Sequence, residues 1–512
     1  FMKINLKNVG GGAFVLLVSG FICKCLGAFF RLPLTNMLGI EGIGVFQLVM
    51  SLYSFALVVT AGGVTATLSK LIGSARANGH LEKINLYLKQ AILVSVSIGL
   101  SLGVVFLIFG RYIAIFQNIS SSVSYYLFAL MLPLGAGLAT LRGFFQGYEN
   151  MLPTAISQIL EQVIRFSFGL LFAYYFSKFG IVQGVFGAFL GVLTSEVIAL
   201  LFLIIYYFVK RKNKKEIYSK DFSRLVRKEF NYANFPLMFS ASILPLVTAF
   251  ESLIIIPRLV ACGLTSSFAT SLFGLQAGVV GAILHFPLII SLSITTAILP
   301  NLSYHISRGS GGKVIIERGL KTLLYLVLPT TFGMVAISRE VLDLFYTDMT
   351  PFLLSIAFNL MLYGGFATIF TALMQYIIMI LQANGQFNFI LLITIIGGSL
   401  RAILSFTLSI IPSINIYAVL LGNIAMTAIN CLLGLWRLKK IVSFSLKVKD
   451  VLILLLGTFL MFITVYTFVR SSYFSPIVNI VLGIILGVLV YGVITISFLI
   501  NIAQRKKVKK AV

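Results

Sequence analysis

Apolar residues in this chain do not alternate with polar ones at the period of a strand. They run on in blocks of roughly 20, the length that crosses a ~30 Å hydrocarbon core. Fourteen blocks are legible, at 12–34, 43–69, 89–110, 123–142, 153–176, 181–208, 232–257, 271–299, 318–337, 352–381, 387–411, 415–436, 450–469 and 476–502. No connection between them exceeds about 25 residues, too few for a soluble catalytic domain. The pattern predicts an all-α polytopic membrane protein and not an enzyme, with any activity lying in or between the spans.

Polar residues that interrupt the blocks recur. Lys24 and Arg31 lie seven apart in the first span, and Glu251 and Arg258 lie seven apart in the seventh, at an offset of 227 residues. Arg31-Leu32 thereby falls on Arg258-Leu259. Gln146 and Arg165, 19 apart around the hairpin of spans four and five, match Gln382 and Arg401, 19 apart around that of spans ten and eleven. These matches imply a chain built twice. The predicted organisation is an N-terminal six-helix bundle (1–209), a basic cytoplasmic linker (210–230), a second six-helix bundle (231–440), and two added helices with a basic tail (441–512). Both halves start on one side, so the repeat is parallel, and in transporters built this way the substrate site lies between repeats near the midplane.

Charge changes the picture through its placement. The formal net charge of +25 would suggest nucleic acid in a soluble protein, but only 10% of residues are charged and 59% are hydrophobic. Alternate connections hold 30 Lys and Arg on one side against 6 on the other. Under the positive-inside rule, an even number of spans and cytoplasmic termini follow. Lys3 and Lys7 precede an apolar run too long for a signal h-region, which is expected to remain as a span. The segment from Lys210 to Lys228 reads as a solvated linker drawn to anionic membrane lipids.

Lys24 stands twelve residues into its span, hence ~18 Å deep, where it cannot easily reach water. Two readings stand: a buried ion pair, or an anion site. Arg31, ~10 Å further out, is an interface anchor or a guanidinium fork for the same anion. Glu161 and Arg165 are i and i+4 and should pair with each other. Glu196 and Glu251 are read as counter-ions of Lys24 or as proton or sodium sites. Arg401 repeats Arg165 without its acid, because Gly397 takes that place, which makes it a further candidate for the cavity. His285 is assigned to packing.

No Walker A spacing surrounds Gly309 to Lys313, and no HExxH helix or nucleophile elbow is present. Cys23, Cys25, Cys262 and Cys431 follow no metal or disulfide spacing.

The run Leu141-Arg142-Gly143-Phe144-Phe145-Gln146-Gly147, with Asn150-Met151, Pro153 and Ser157-Gln158 through Glu161-Gln162-Val163-Ile164-Arg165, resembles the stage V sporulation protein B group. That group belongs to the polysaccharide-export branch of the MOP superfamily, which also holds multidrug extruders and the lipid II flippase. Leu38-Gly39 with Glu41-Gly42 and Gly44, Phe250-Glu251, and Phe286-Pro287 through Ala297-Ile298-Leu299-Pro300 extend the likeness over nearly the whole chain.

The resemblance implies two six-helix bundles forming a V-shaped central cavity, and movement of an undecaprenyl-diphosphate-linked glycan between leaflets of the bacterial cytoplasmic membrane. Lys24 and Arg31 fall where the lipid II flippases have first-helix arginines, which gives them a diphosphate-binding role, with Arg258 and Arg401 as supports. Arg142, with Glu149, Glu161 and Arg165, is assigned to a cytoplasmic gate. An Asp-Arg pair that the lipid II flippases carry before the Phe-Pro of span eight is missing from Ala277 to Leu284. No cofactor or metal is expected; a proton or sodium gradient or the membrane potential would drive the cycle, and cell-wall synthases are the expected protein partners. The alternatives are a cation-coupled multidrug exporter and a non-transporting wall-assembly protein.

Overall fold

The structure is a computed structural model that describes residues 6–210, 220–307, 312–346, 349–442, 448–471 and 474–508. The most basic part of the linker, 211–219, and the last residues of the tail lie outside them. Among the described residues every regular element is helical. In order they are α1 (Leu6–Ala61), α2 (Val64–Ala77), α3 (Glu82–Phe116), α4 (Val123–Tyr126), α5 (Phe128–Gly147), α6 (Leu152–Ser177), α7 (Ile181–Lys210), α8 (Lys220–Ala261) and α9 (Ser266–Phe273). A π-helical segment, Gly274–Val280, follows. Then come α10 (Gly281–Ser307), α11 (Lys313–Ala336), α12 (Ser338–Phe345), α13 (Pro351–Ala383), α14 (Phe387–Leu408), α15 (Tyr417–Ile441), α16 (Val448–Arg470) and α17 (Pro476–Val508).

Thirteen helical stretches among the described residues are long and apolar enough to cross a membrane, and the first, Val18–Ala77, has 60 residues. That is more than two crossings' worth. Gly39 breaks it at φ 72°, ψ 174°, a backbone region open essentially to glycine alone. Phe30 and Phe46 then meet edge to face with ring centroids 6.2 Å apart, where sixteen residues of unbroken helix would hold them ~24 Å apart. The chain doubles back at Gly39, so this stretch is two crossings and the fourteen expected spans are recovered. The expected second span, 43–69, is interrupted at Gly62-Gly63. A Cβ at Gly63 would stand 2.8 Å from both Asn234 O and Met238 N, so the glycine lets the α8 backbone approach.

The chain forms two compact units, Phe1–Gly278 with Ser409–Asn415, and Val279–Leu408 with Ile416–Val512. Motif repetition starts the second bundle at 231, whereas the compact first unit also takes in α8 and α9. The reason is packing: Val226 and Phe230 of α8 are buried with Leu68, Tyr87, Phe144 and Phe145. Helices α6 and α7 cross where a Cβ on Gly191 would lie 2.2 Å from Gly169 Cα, a small-residue contact of the kind that joins spans in lipid. In the second unit, Leu323, Tyr376, Ile377 and Leu438 make one core. The C-terminal helices add another through Met461, Val465 and Tyr491 against Leu328. Lys321 pairs with Asp450, and Tyr491 donates to Tyr325 O at 3.0 Å, fixing α16 and α17 to α11.

The two hairpins singled out by the repeat close on the same turn. After α5, the N–H of Glu149 bonds Gln146 O (2.9 Å) and that of Asn150 bonds Phe145 O (3.1 Å). After α13, the N–H of Gly385 bonds Gln382 O (2.9 Å) and that of Gln386 bonds Leu381 O (2.9 Å). These are helix ends closed by a left-handed residue.

Candidate functional site

All the sequence-predicted site residues except Arg401 lie in the first unit. The first crossing of α1 packs along α6: Ser19 Oγ donates to Gln158 Oε1 (3.3 Å), and a Cβ on Gly27 would be 3.9 Å from Gln162 Oε1. Ser19, Cys23 and Gly27 therefore form the face turned to α6. Lys24 is one position, about 100° of turn, away from that face. Its side chain is exposed and makes no ion pair among the described residues. Arg31, two turns on, is half-buried, and its Nη1 donates to Ala277 O at 3.4 Å. Ala277 belongs to the π-helical segment, and such segments are rare and gather at functional sites.

On α6, Glu161 is held from both sides. Its Oε2 accepts from Arg142 Nη2 at 2.8 Å and its Oε1 from Arg165 Nη2 at 2.6 Å. Arg142 Nε also donates to Ser157 Oγ at 2.9 Å. The three side chains are 15%, 13% and 18% exposed, so the triad sits largely out of contact with solvent and keeps a net charge of +1. Cys23, next to Lys24 in sequence, lies within electrostatic range of all three. The i,i+4 pair expected from the sequence is present, and Arg142 joins it. Glu149, expected nearby, sits exposed in the turn after α5.

Glu196 on α7 is 2% exposed. Tyr53 on the second crossing of α1 donates to its Oε1, and Oε2 has no hydrogen-bond partner among the described residues. Its partner is thus a tyrosine and not Lys24. Tyr53 escaped sequence reasoning; the signal was a tyrosine in the middle of an apolar run. Glu251 on α8 is buried and Arg258, two turns on, is half-buried; neither is without a partner. Gln117 Nε2 donates to the carbonyl of Ser252 at 2.9 Å, tying the end of α3 to this part of α8.

Arg401 lies in the second unit on α14, and its Nη1 donates to Asn423 Oδ1 of α15 at 3.4 Å. The glycine in place of an acid at 397 has a spatial reason: a Cβ there would lie 2.4 Å from Asn430 Oδ1. Asn423 of α15 thus gives Arg401 a polar partner, and Asn430 fills the space that a side chain at 397 would need.

Long apolar helices carrying charges inside their spans define a multi-pass membrane protein. The chain belongs to the polysaccharide biosynthesis protein family, whose sequence profile matches residues 9–305. It is 25% identical over 459 residues to stage V sporulation protein B of Bacillus subtilis (strain 168), covering 86% of this chain and 85% of that one. It is 24% identical over 494 residues to the lipid II flippase MurJ of the same organism, covering 87% and 86%. Its fold matches that of a solved lipid II flippase MurJ in an inward closed conformation, with a TM-score of 0.75 at 15% identity over 96% of this chain and 100% of that one. The resemblance read from the hairpin motif is borne out.

Proposed function

We propose that this chain is a flippase that carries an undecaprenyl-diphosphate-linked cell-wall precursor, lipid II or a related lipid-linked oligosaccharide, across the bacterial cytoplasmic membrane by alternating access. Its service would be to peptidoglycan or spore-cortex synthesis. The observation that carries this reading is Lys24: a cation at mid-span, exposed and without an ion pair among the described residues, on the helix face that also bears Arg31.

A diphosphate cannot cross hydrocarbon unaided, because desolvating it costs far more than any contact with lipid returns. A fixed ammonium supplies charge, and a guanidinium adds a fork for two phosphate oxygens. The net +1 of the Arg142–Glu161–Arg165 triad favours the same sign of cargo. Arg258 would extend the basic surface, Arg401 would be a further cargo-binding residue, and the triad would serve the cytoplasmic gate. Glu196, buried with one oxygen unpartnered among the described residues, suits a site that gains and loses a proton or a monovalent cation during the cycle, with Glu251 as a further counter-ion. The cation asymmetry of the loops supports cytoplasmic termini. An exporter of cationic drugs would be expected to present acids to its cargo, yet Glu161 is engaged by two arginines.

The test is the fraction of lipid-linked peptidoglycan precursor exposed on the outer leaflet of cells depleted of their own flippases and complemented with this chain. Restored exposure is expected. No restoration by a folded, inserted chain would remove lipid II and direct attention to other lipid-linked glycans.

A further inference from the structure

The first turns of α8 carry a groove that the transport reading leaves unused. Arg224, Arg227, Lys228, Asn231, Tyr232, Phe235 and Pro236 line about 550 Å³ of open space. Its orientation is fixed from behind. Val226, Phe230, Asn234 and Met238, four residues apart in succession, are buried. Glu229 accepts from Lys83 Nζ at 3.3 Å and Asn231 Oδ1 accepts from Gln90 Nε2 at 3.2 Å, which seats α8 on α3. Glu229 is thereby drawn to Lys83, and among the described residues the lining holds three cations and no carboxylate.

The groove also changes character along its length. Its cations come before the apolar run that begins near residue 232, and Tyr232, 86% exposed, Phe235 and Pro236 continue it into that run. Cations at headgroup level followed by aromatic rings at the hydrocarbon boundary match a molecule with a phosphate head and an acyl body. We infer that this groove is a binding site for an anionic phospholipid of the surrounding bilayer, its phosphate held by Arg224, Arg227 and Lys228 and its glycerol and upper acyl chain lying on Tyr232 and Phe235. Arginine forks suit phosphate oxygens, and a neutral zwitterionic headgroup would bring an ammonium against three cations.

A tryptophan in the groove reads its occupant. The sole tryptophan, Trp436, is removed as Trp436→Phe, and Tyr232→Trp is introduced into the full chain in lipid nanodiscs. Quenching by brominated phosphatidylglycerol is compared with quenching by brominated phosphatidylcholine. A preference of about tenfold for the anionic lipid is expected, falling to within about twofold of unity when Arg224, Arg227 and Lys228 are changed to Gln. Lys439→Gln, Lys440→Gln and Lys449→Gln together, which remove equal charge elsewhere, should leave the preference intact. Equal quenching by both lipids overturns the site, and this arm requires no charge variant to fold. An equal loss in that control reduces it to bulk surface charge. Relief of quenching by a low mole fraction of polyprenyl diphosphate would give the groove to the transported lipid instead.

Discussion

Glu149 and Gly385 hold the same position in two turns bonded alike, at φ 59° and φ 70°. The second hairpin fills this left-handed position with the residue that adopts it freely, while the first places a side chain there. An L residue in that region is strained by about 1 kcal/mol or more. Glu149→Gly should therefore raise the unfolding temperature of the purified protein, and Gly385→Ala should lower it. Differential scanning fluorimetry in one detergent checks both signs. A destabilised Glu149→Gly would mean that the glutamate makes compensating contacts in the folded protein.

Lys24→Ala should reduce outer-leaflet exposure of the precursor at least about tenfold, while Lys24→Arg, which keeps the charge, should retain most of it. Both variants should express and unfold like the parent, because the lysine is exposed and makes no ion pair among the described residues. Full activity of a stably inserted Lys24→Ala would remove the first helix from the cargo path.

The triad makes an asymmetric prediction. Removing Arg142 leaves Glu161 paired with Arg165, and removing Arg165 leaves it paired with Arg142. Removing Glu161 leaves two largely buried guanidinium groups facing each other. Breaking a buried ion pair in that way costs about 3–5 kcal/mol. Glu161→Gln should accordingly lower the unfolding temperature more than either Arg142→Gln or Arg165→Gln. Glu161→Gln combined with Arg142→Gln should recover part of the loss. Equal effects from all three single changes would mean that water already screens the cluster.

What the sequence made legible follows from the solvent. Lipid offers no hydrogen bonds, so each apolar run must close its backbone bonds within itself as a helix, and the spans could be read from composition alone. The i,i+4 partnership of Glu161 and Arg165 was legible because it lies within one helix. Arg142, nineteen residues away across a hairpin, and Tyr53, 143 residues from Glu196, are brought in by tertiary packing that no local pattern records. The π-helical segment at Gly274–Val280 and the packing of α8 on Gly63 were hidden for the same reason. Each depends on a neighbouring helix approaching closely.

Glu196 provides the sharpest separation between coupling and architecture. Tyr53 donates to one of its oxygens, so that hydrogen bond is available to either the acid or the carboxylate, and the unpartnered oxygen among the described residues is the one left to exchange a proton or cation. Glu196→Gln keeps the shape and can still accept from Tyr53, so its unfolding temperature should stay close to the parent's. Precursor exposure should become insensitive to an imposed proton or sodium gradient, whereas the parent responds to one of them. Tyr53→Phe leaves both carboxyl oxygens short of a donor and should destabilise the fold by about 1–3 kcal/mol while the gradient response persists. A Glu196→Gln protein with an undiminished gradient response would reduce the Glu196–Tyr53 contact to a packing feature and leave Glu251 as the group to test.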